Sequence, residues 1–91
     1  MLTEIENYIT PMSKLLYIIY KEDPDNIRKL KELSGYTIQT VYNNIRMMKE
    51  LGLVDIVVVN KVRRKVVLTE KGKKIARLAG YFIENLKSEL K

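Results

Sequence analysis

Five side chains between residues 37 and 46 carry groups that can hydrogen-bond to the edges of nucleic acid bases. They are Thr37, Gln39, Tyr42, Asn43 and Arg46. In a major groove, Asn and Gln form paired hydrogen bonds with adenine, and Arg forms them with guanine. The spacing of four and then three residues from Gln39 to Asn43 to Arg46 places these side chains on one face of a helix. An ordinary solvated helix presents the same kind of polar face, so the neighbouring residues decide between the two interpretations.

A set of cationic side chains follows and is suited to the phosphate groups of a nucleic acid backbone. These are Lys49, Lys61, Arg63, Arg64 and Lys65. Neutralising phosphates with Lys and Arg releases bound counterions, which is the main sequence-independent source of affinity for nucleic acid. Arg28, Lys29 and Lys31 can also approach phosphate, although lysines on helix surfaces usually interact only with water.

The helix that carries the base-binding set is predicted from its apolar residues. Val41, Ile45 and Met48 recur at spacings of four and three, which is typical of a helix that buries one stripe. This pattern predicts a helix over residues 37–51. Gly52 is placed to end it in a left-handed backbone conformation, which glycine adopts without steric cost.

A β-hairpin is predicted to follow this helix. The residues after Gly52 are rich in β-branched types, and the run is too short for a second helix. We expect one strand at 53–59 and a returning strand at 62–68, with the tip near Asn60 and Lys61. The hairpin therefore carries most of the cationic set on its tip and returning arm.

The other elements are predicted from their start signals. Thr3 and Glu6 form a capping-box pattern for a short N-terminal helix, and Thr10 with Pro11 starts a helix at 11–22. The sequence Asp23, Pro24, Asp25 starts the next helix in the same way as Thr10 and Pro11. Ile27, Leu30 and Leu33 form the buried stripe of that helix, and the turn at Ser34, Gly35 and Tyr36 follows it. Thr69 caps a final helix running to about Leu90.

The final helix has a wider apolar stripe than one small domain needs, and Leu2, Ile5 and Ile9 would line one side of the N-terminal helix. Two explanations remain for each segment. The N-terminal helix is either a lid on the core or part of a subunit interface, and the final helix either meets a second chain or folds back on its own core. We predict a dimer interface made by Leu2, Ile5, Ile9, Leu78, Phe82, Ile83, Leu86 and Leu90.

Composition supports an anionic partner and argues against several other functions. The 91 residues carry a net charge of +6, distributed as −3 over residues 1–26, +2 over 27–58 and +7 over 59–91. Such a field favours nucleic acid or an acidic membrane surface, although soluble proteins without such partners also have basic halves. Cys and His are both absent, which excludes disulfides, thiol nucleophiles and metal sites built on these ligands.

Catalysis, cofactors and membrane insertion are not predicted. The remaining catalytic candidates are carboxylates, Lys, Tyr and Ser, and most carboxylates lie beside helix starts, where capping explains them. We therefore predict no enzyme activity, no metal and no cofactor. No apolar run approaches the ~18 residues of a membrane span, and the start lacks the basic residues of a signal peptide. The expected location is the cytoplasm.

The order of these elements resembles the winged helix-turn-helix proteins. The resemblance rests on Thr40, Val41, Ile45, Gly52, Leu53 and Val54, followed by Leu68, Thr69, Glu70, Lys71 and Gly72. It covers roughly residues 12 to 80 and is strongest to regulators related to the MarR, ArsR and PadR groups and to small archaeal or archaeal-virus proteins. It implies a mainly α fold with a small β-hairpin, an extra N-terminal helix and a long C-terminal dimerisation helix.

The resemblance also implies a domain organisation. Residues 1–91 are expected to form one winged-helix domain, with an N-terminal extension at 1–10, a core at 11–69 and a dimerisation helix at 70–91. Terminal helices commonly build a two-fold dimer in proteins of this type, which agrees with the surplus of apolar residues.

The leading hypothesis is a homodimeric transcription regulator that binds specific double-stranded DNA. Its recognition helix at 37–51 would enter the major groove, and its basic wing at 59–66 would hold the flanking backbone or minor groove. Two alternatives remain: a non-specific architectural DNA-binding protein, and a protein-interaction module that uses Tyr42 and Met47. The sequence identifies neither an operator nor an effector ligand.

Overall fold

The computed structural model describes residues 5–91 and contains four long helices and one hairpin. The helices are α1 (Pro11–Glu22), α2 (Ile27–Ser34), α3 (Ile38–Glu50) and α4 (Glu70–Glu89). The strands β1 (Val54–Val58) and β2 (Arg64–Leu68) lie between α3 and α4. The predicted mainly α class with a small hairpin is confirmed. Leu2 and Thr3, named in two predictions, lie outside the described residues.

Threonines cap three of the helices, as predicted for Thr10 and Thr69, whereas the cap at Thr37 was not predicted. The Thr10 hydroxyl accepts the Ser13 backbone N–H at 3.1 Å, and the Ser13 hydroxyl accepts the Thr10 N–H, completing a capping box. Thr37 accepts the N–H of Thr40 at 3.2 Å, and Thr69 accepts that of Gly72 at 3.0 Å. Each bond satisfies one of the backbone donors that a helix start leaves unpaired.

The start of α2 differs from the prediction. Asn26 is the capping residue, and its side chain accepts the Lys29 N–H at 2.8 Å. Asp23 instead ends α1 in a left-handed conformation with φ of 45°, and Pro24 is buried. The predicted restart at Asp23 and Pro24 was therefore wrong, because the chain needs these residues to turn before Asn26 can cap the next helix.

Two glycines follow helices with a positive φ, as predicted for Gly52. Gly35 follows α2 with φ of 77°, and Gly52 follows the end of α3 with φ of 76°. Between α2 and α3, the buried Ser34 hydroxyl donates to the Lys31 carbonyl and accepts the Tyr36 N–H. These bonds fix the tight turn that sets the direction of α3.

The core lies where α1, α2, α3 and the hairpin meet. Helices α1, α2 and α3 contribute residues at helical spacing, α4 contributes Ala76, and each strand contributes residues from one face. The stripe predicted for α3 is buried as expected, with Val41, Ile45 and Met48 at most 2% exposed. Other buried members are Leu15, Leu16, Ile19, Leu30, Val54, Val66 and Ala76. This burial fixes which side of α3 faces outward.

The hairpin strands pair antiparallel and are shorter than predicted. The register runs from Val54 opposite Leu68 to Val58 opposite Arg64. The connecting loop covers residues 59–63, so Val59 and Val62 belong to the tip rather than to strands. The β-branched run predicted longer strands, but the Asn60 side chain closes a turn by accepting the backbone N–H groups of Val62 and Arg63.

Helix α4 packs along α1 through small residues. At Gly80, a β-carbon would lie 2.7 Å from the Tyr17 ring, so the absence of a side chain lets the two helices approach. The Tyr17 hydroxyl donates to the Glu84 carboxylate, and this hydrogen bond is the main reason why the pKa of Glu84 is lowered. Ile83 is 3% exposed and lies inside the subunit.

The described part of the N-terminal extension is attached to its own subunit. One carboxylate oxygen of Glu6 accepts from the Lys14 ammonium at 2.8 Å, and the other accepts from the Tyr36 hydroxyl at 3.1 Å. Glu6 thus links the extension to α1 and to the turn before α3, as a lid would.

Between residues 5 and 91, no helix combines the length and apolar composition needed to cross a membrane.

Candidate nucleic-acid interface

The outward face of α3 is accessible along its length. Gln39, Asn43 and Arg46 are all exposed, and Tyr42 is 48% exposed. Since Val41, Ile45 and Met48 hold the opposite face in the core, the orientation of the polar face is set by packing. Asn44 is the exception among the polar residues: it is buried, and its amide donates to the Thr40 carbonyl at 2.8 Å.

Thr37 is exposed at the start of α3, where its hydroxyl is already used. It accepts the Thr40 N–H and donates to the Thr40 hydroxyl at 3.0 Å. The structure therefore gives this predicted base-contacting residue a capping role. The uncapped N–H groups of the first turn and the helix dipole still make this end of α3 electropositive.

A groove separates α3 from the hairpin, and its lining is strongly basic. The start of α2 forms its floor with Asn26, Ile27 and Arg28. Tyr42 lines it from α3, and residues 61–64 line it from the hairpin. The groove therefore brings together three predicted cations, Lys61, Arg63 and Arg64, with Arg28, which was not among the predicted site residues.

The cations of the groove are available to a ligand. Within the described residues, no carboxylate lies within salt-bridge distance of the Arg28, Lys61, Arg63 or Arg64 side chains. Four cations around one groove, with no carboxylate partner among residues 5–91, create a local positive field that attracts polyanions. Lys49 is also exposed, near the C-terminal end of α3 and away from the groove lining.

Comparison with known proteins identifies the fold. No protein-family model matches the sequence, and no curated protein matches it. Among solved structures, SSV1 F-93 is 21% identical, with a TM-score of 0.78 over 88% of this chain and 92% of that one. The chain has the winged helix-turn-helix fold.

Two other similar structures are described as regulators. MepR, a transcription regulator of the Staphylococcus aureus multidrug efflux pump MepA, is 17% identical, with a TM-score of 0.73 over 97% of this chain and 68% of that one. NMB1585, a MarR family regulator from Neisseria meningitidis, is 20% identical, with a TM-score of 0.76 over 88% of this chain and 58% of that one. This chain thus matches just over half of NMB1585. The correspondence supports the predicted resemblance to MarR-type winged helices, and these two neighbours are regulators rather than enzymes.

By its place in the fold, α3 corresponds to the helix called the recognition helix in winged-helix proteins, and the hairpin β1–β2 with its loop corresponds to the wing; both names are used here for these positions. Lys65, a predicted phosphate-contacting residue, does not line the groove. Lys65 points from β2 to the Asp23 carboxylate, with an N–O distance of 3.1 Å, and its side chain is 27% exposed. This ion pair connects the wing to the turn after α1. The prediction treated Arg63, Arg64 and Lys65 as one cluster, but Arg64 and Lys65 are neighbours in β2, where strand alternation sends their side chains to opposite faces.

Arg28 is the residue that sequence reasoning did not select. Three cations in α2 qualify equally by sequence, and only Arg28 lines the groove between the recognition helix and the wing. The feature of the sequence that could have singled out Arg28 is its position as the second residue of α2, because the start of this helix faces the wing. That relation depends on tertiary packing, which no local pattern encodes.

The predicted dimer residues divide into three groups. Leu78 and Phe82 are 67% and 50% exposed, and Ile75, with 38%, extends the same side of α4. Ile5, Ile9, Leu86 and Leu90 are partly buried in the subunit. Ile83 was wrongly assigned to a surface, since its position on the helix faces α1 and its side chain belongs to the interior.

The described residues contain no obvious metal site. No group of three or more Asp or Glu side chains converges within residues 5–91. The surface of residues 5–91 instead presents the polar face of the recognition helix, the basic groove and the apolar side of α4.

Proposed function

We propose that this chain is a homodimeric transcription regulator that binds specific sequences in double-stranded DNA. The recognition helix lies in the major groove and reads bases with Gln39, Tyr42, Asn43 and Arg46, while Thr37 fixes its start and contacts DNA near the bases. Lys49 and the wing cations hold phosphates. The similarity to MepR and NMB1585, both described as regulators, supports this function.

The observation that carries the proposal is the basic groove between α3 and the wing. A helix fills a major groove, and a wing beside it reaches the adjacent minor groove. One sugar–phosphate strand separates these two DNA grooves. The protein groove has a matching position between Tyr42 and residues 61–64, and its cations are free of carboxylate partners within the described residues. The sugar–phosphate strand lies in this groove, held by Arg28, Arg63 and Arg64.

The apolar side of α4 supports a two-fold dimer. Ile75, Leu78 and Phe82 follow one another at spacings of three and four, and all are exposed on the single subunit. A second copy of α4 covers them in an isologous interface, in which the same surface is used by both subunits. Two recognition helices related by this axis read a palindromic site, with half-sites roughly 34 Å apart or a multiple of that distance.

Selection of bound fragments from a pool of random duplex DNA tests the proposal directly. A regulator of this kind enriches one motif with two-fold symmetry, and a gel shift then shows discrete complexes on that motif. Uniform retention of all sequences would instead indicate an architectural DNA-binding protein. No duplex binding even at low salt would remove the DNA-binding function and favour a protein-interaction module.

A further inference from the structure

The tip of the wing presents an apolar side chain to solvent at the edge of the basic groove. Val62 is 93% exposed, the largest fraction among the large apolar residues of the described chain. Burial of an apolar side chain is favourable, and this valine gains none of that free energy in the isolated subunit. A partner that covers Val62 recovers this free energy.

The tip holds Val62 in a defined position. The Asn60 side-chain oxygen accepts the Val62 N–H at 2.9 Å and the Arg63 N–H at 3.0 Å. The Val59 N–H donates to the Arg63 carbonyl at 2.9 Å, which closes the loop behind Val62. Because these hydrogen bonds restrict the loop, less conformational entropy is lost when Val62 meets a partner.

The surroundings of Val62 fit DNA better than an apolar protein surface. Lys61 and Arg63 flank it along the chain, and Arg64 and Arg28 line the groove that it borders. A polyanion would pair with these four cations, whereas an apolar partner would bury their charges without a partner. When one sugar–phosphate strand occupies the groove, the tip beyond that strand reaches the minor groove.

We propose that Val62 enters the minor groove beside each recognition-helix site and selects against a guanine amino group there. This inference rests on the proposed function. The minor-groove edge of an A·T pair presents only acceptors, whereas G·C adds the N2 amino donor. A branched apolar side chain against the groove floor cannot pair that donor and is obstructed by it. Val62 therefore favours A·T pairs at positions that the recognition helix does not touch.

Base analogues isolate this contact. In the motif selected from random DNA, 2,6-diaminopurine replaces adenine at the flanking positions, adding only the minor-groove amino group. We expect this change to weaken wild-type binding by about fivefold or more, as for one unfavourable base pair. In Val62→Ala, the loss of affinity caused by 2,6-diaminopurine should be small or absent. In Val62→Asn, whose side chain can accept from the amino group, the penalty disappears or reverses.

Val58→Ala is the matched control, because it removes the same two methyl groups from a 66% exposed valine that does not line the groove. This variant keeps the full diaminopurine penalty. An equal penalty in Val62→Ala and wild type, or no penalty in wild type, overturns the role of Val62 while leaving DNA binding intact. Failure of the wild-type protein to bind any duplex overturns the proposed function itself.

Discussion

Gly72 lies directly against the backbone carbonyl of Leu53. A β-carbon at residue 72 would be 1.8 Å from the Leu53 oxygen, a distance that no packing tolerates. The same carbonyl accepts the Thr69 N–H at 3.0 Å, and the Thr69 hydroxyl donates to the Gly52 carbonyl at 2.6 Å. These contacts attach the start of α4 to the junction between the recognition helix and the wing. The angle at which the wing leaves α3 is therefore fixed from α4.

Gly72→Ala should lower the stability of the protein. Alanine in a helix is normally favoured over glycine by about 1 kcal/mol. Here the added carbon meets backbone rather than a movable side chain, and overpacking of this kind costs about 1 to 3 kcal/mol or more. We expect the free energy of unfolding, measured by urea denaturation, to fall. Ser88→Ala, an exposed change in the same helix, serves as the control and should have little effect. Equal or greater stability of Gly72→Ala would show that α4 can move away from Leu53.

The local signals in the sequence predicted the elements better than their contacts. Thr10, Thr37 and Thr69 cap helices because capping depends on a few consecutive residues, and Gly35 and Gly52 adopt positive φ for an equally local reason. The sequence also drew attention to Gly72 as part of a family-like motif. It could not give the reason, because Leu53 is distant in sequence and only the folded chain brings the two together.

The candidate site shows the same division between local and tertiary information. The outward face of α3 follows from the spacing of Val41, Ile45 and Met48, so its polar residues were found by periodicity. Arg28 joins the groove and Lys65 leaves it because of how α2 and the α1–α2 turn pack against the wing. Such relations arise from tertiary structure and are not visible in residue spacing.

Asn43→Ala should reduce affinity mainly at the preferred DNA site. Asn43 is exposed in the middle of the recognition helix, where a bidentate bond to adenine is worth about 1 to 3 kcal/mol of discrimination. We expect gel-shift or fluorescence titrations to show a weaker preferred site and nearly unchanged binding to random DNA. Asn7→Ala makes the same chemical change at an exposed position outside the interface and should bind as wild type. An unchanged ratio of specific to non-specific affinity would remove Asn43 from base contact.

Arg64→Ala should weaken binding to all sequences alike. Arg64 is exposed in the basic groove and lacks a carboxylate partner within residues 5–91. Loss of one phosphate contact reduces the slope of log K against log salt by about 0.9 for duplex DNA. Titrations at several salt concentrations measure this slope. Arg77→Ala, which removes the same charge from an exposed position on α4, should leave the slope close to that of wild type. If Arg64→Ala and Arg77→Ala behave identically, the groove does not hold a phosphate.

Leu78→Glu should convert a dimer into monomers of 10.7 kDa. Leu78 is 67% exposed in the subunit, so the substitution leaves the core intact, but it places a charge in the proposed interface. Burying that charge without a partner should weaken dimerisation by more than about tenfold, or about 1.4 kcal/mol. Sedimentation equilibrium gives the mass, and circular dichroism checks the helix content. Arg77→Gln, which changes the net charge equally, should remain dimeric. A wild-type protein that is monomeric at high concentration would contradict the interface.

Ionisation of Tyr36 should make the protein less stable in alkali. Burial, followed by the charge and hydrogen bond of Glu6, raises the pKa of Tyr36 to about 12 from its usual value of 10.0. The unfolded chain loses this proton near pH 10 and the folded chain only near pH 12. The unfolded state therefore binds fewer protons in this window, and the free energy of unfolding decreases as pH rises through it. The stabilisation is fully present below pH 10.

Tyr36→Phe removes both the proton and the bond to Glu6. We expect a loss of about 1 kcal/mol at neutral pH from the missing hydrogen bond, and a shallower decline in alkali. Part of the decline should remain, because the pKa of Tyr17 is also raised to about 12, by burial and by Glu84. Urea denaturation between neutral pH and about pH 11 measures both effects. Tyr8→Phe, at a 56% exposed position, provides the control and should follow the wild-type curve. Parallel but offset curves would show that the pKa of Tyr36 is not raised by folding, and superimposed curves would show that the Glu6–Tyr36 hydrogen bond does not contribute to stability.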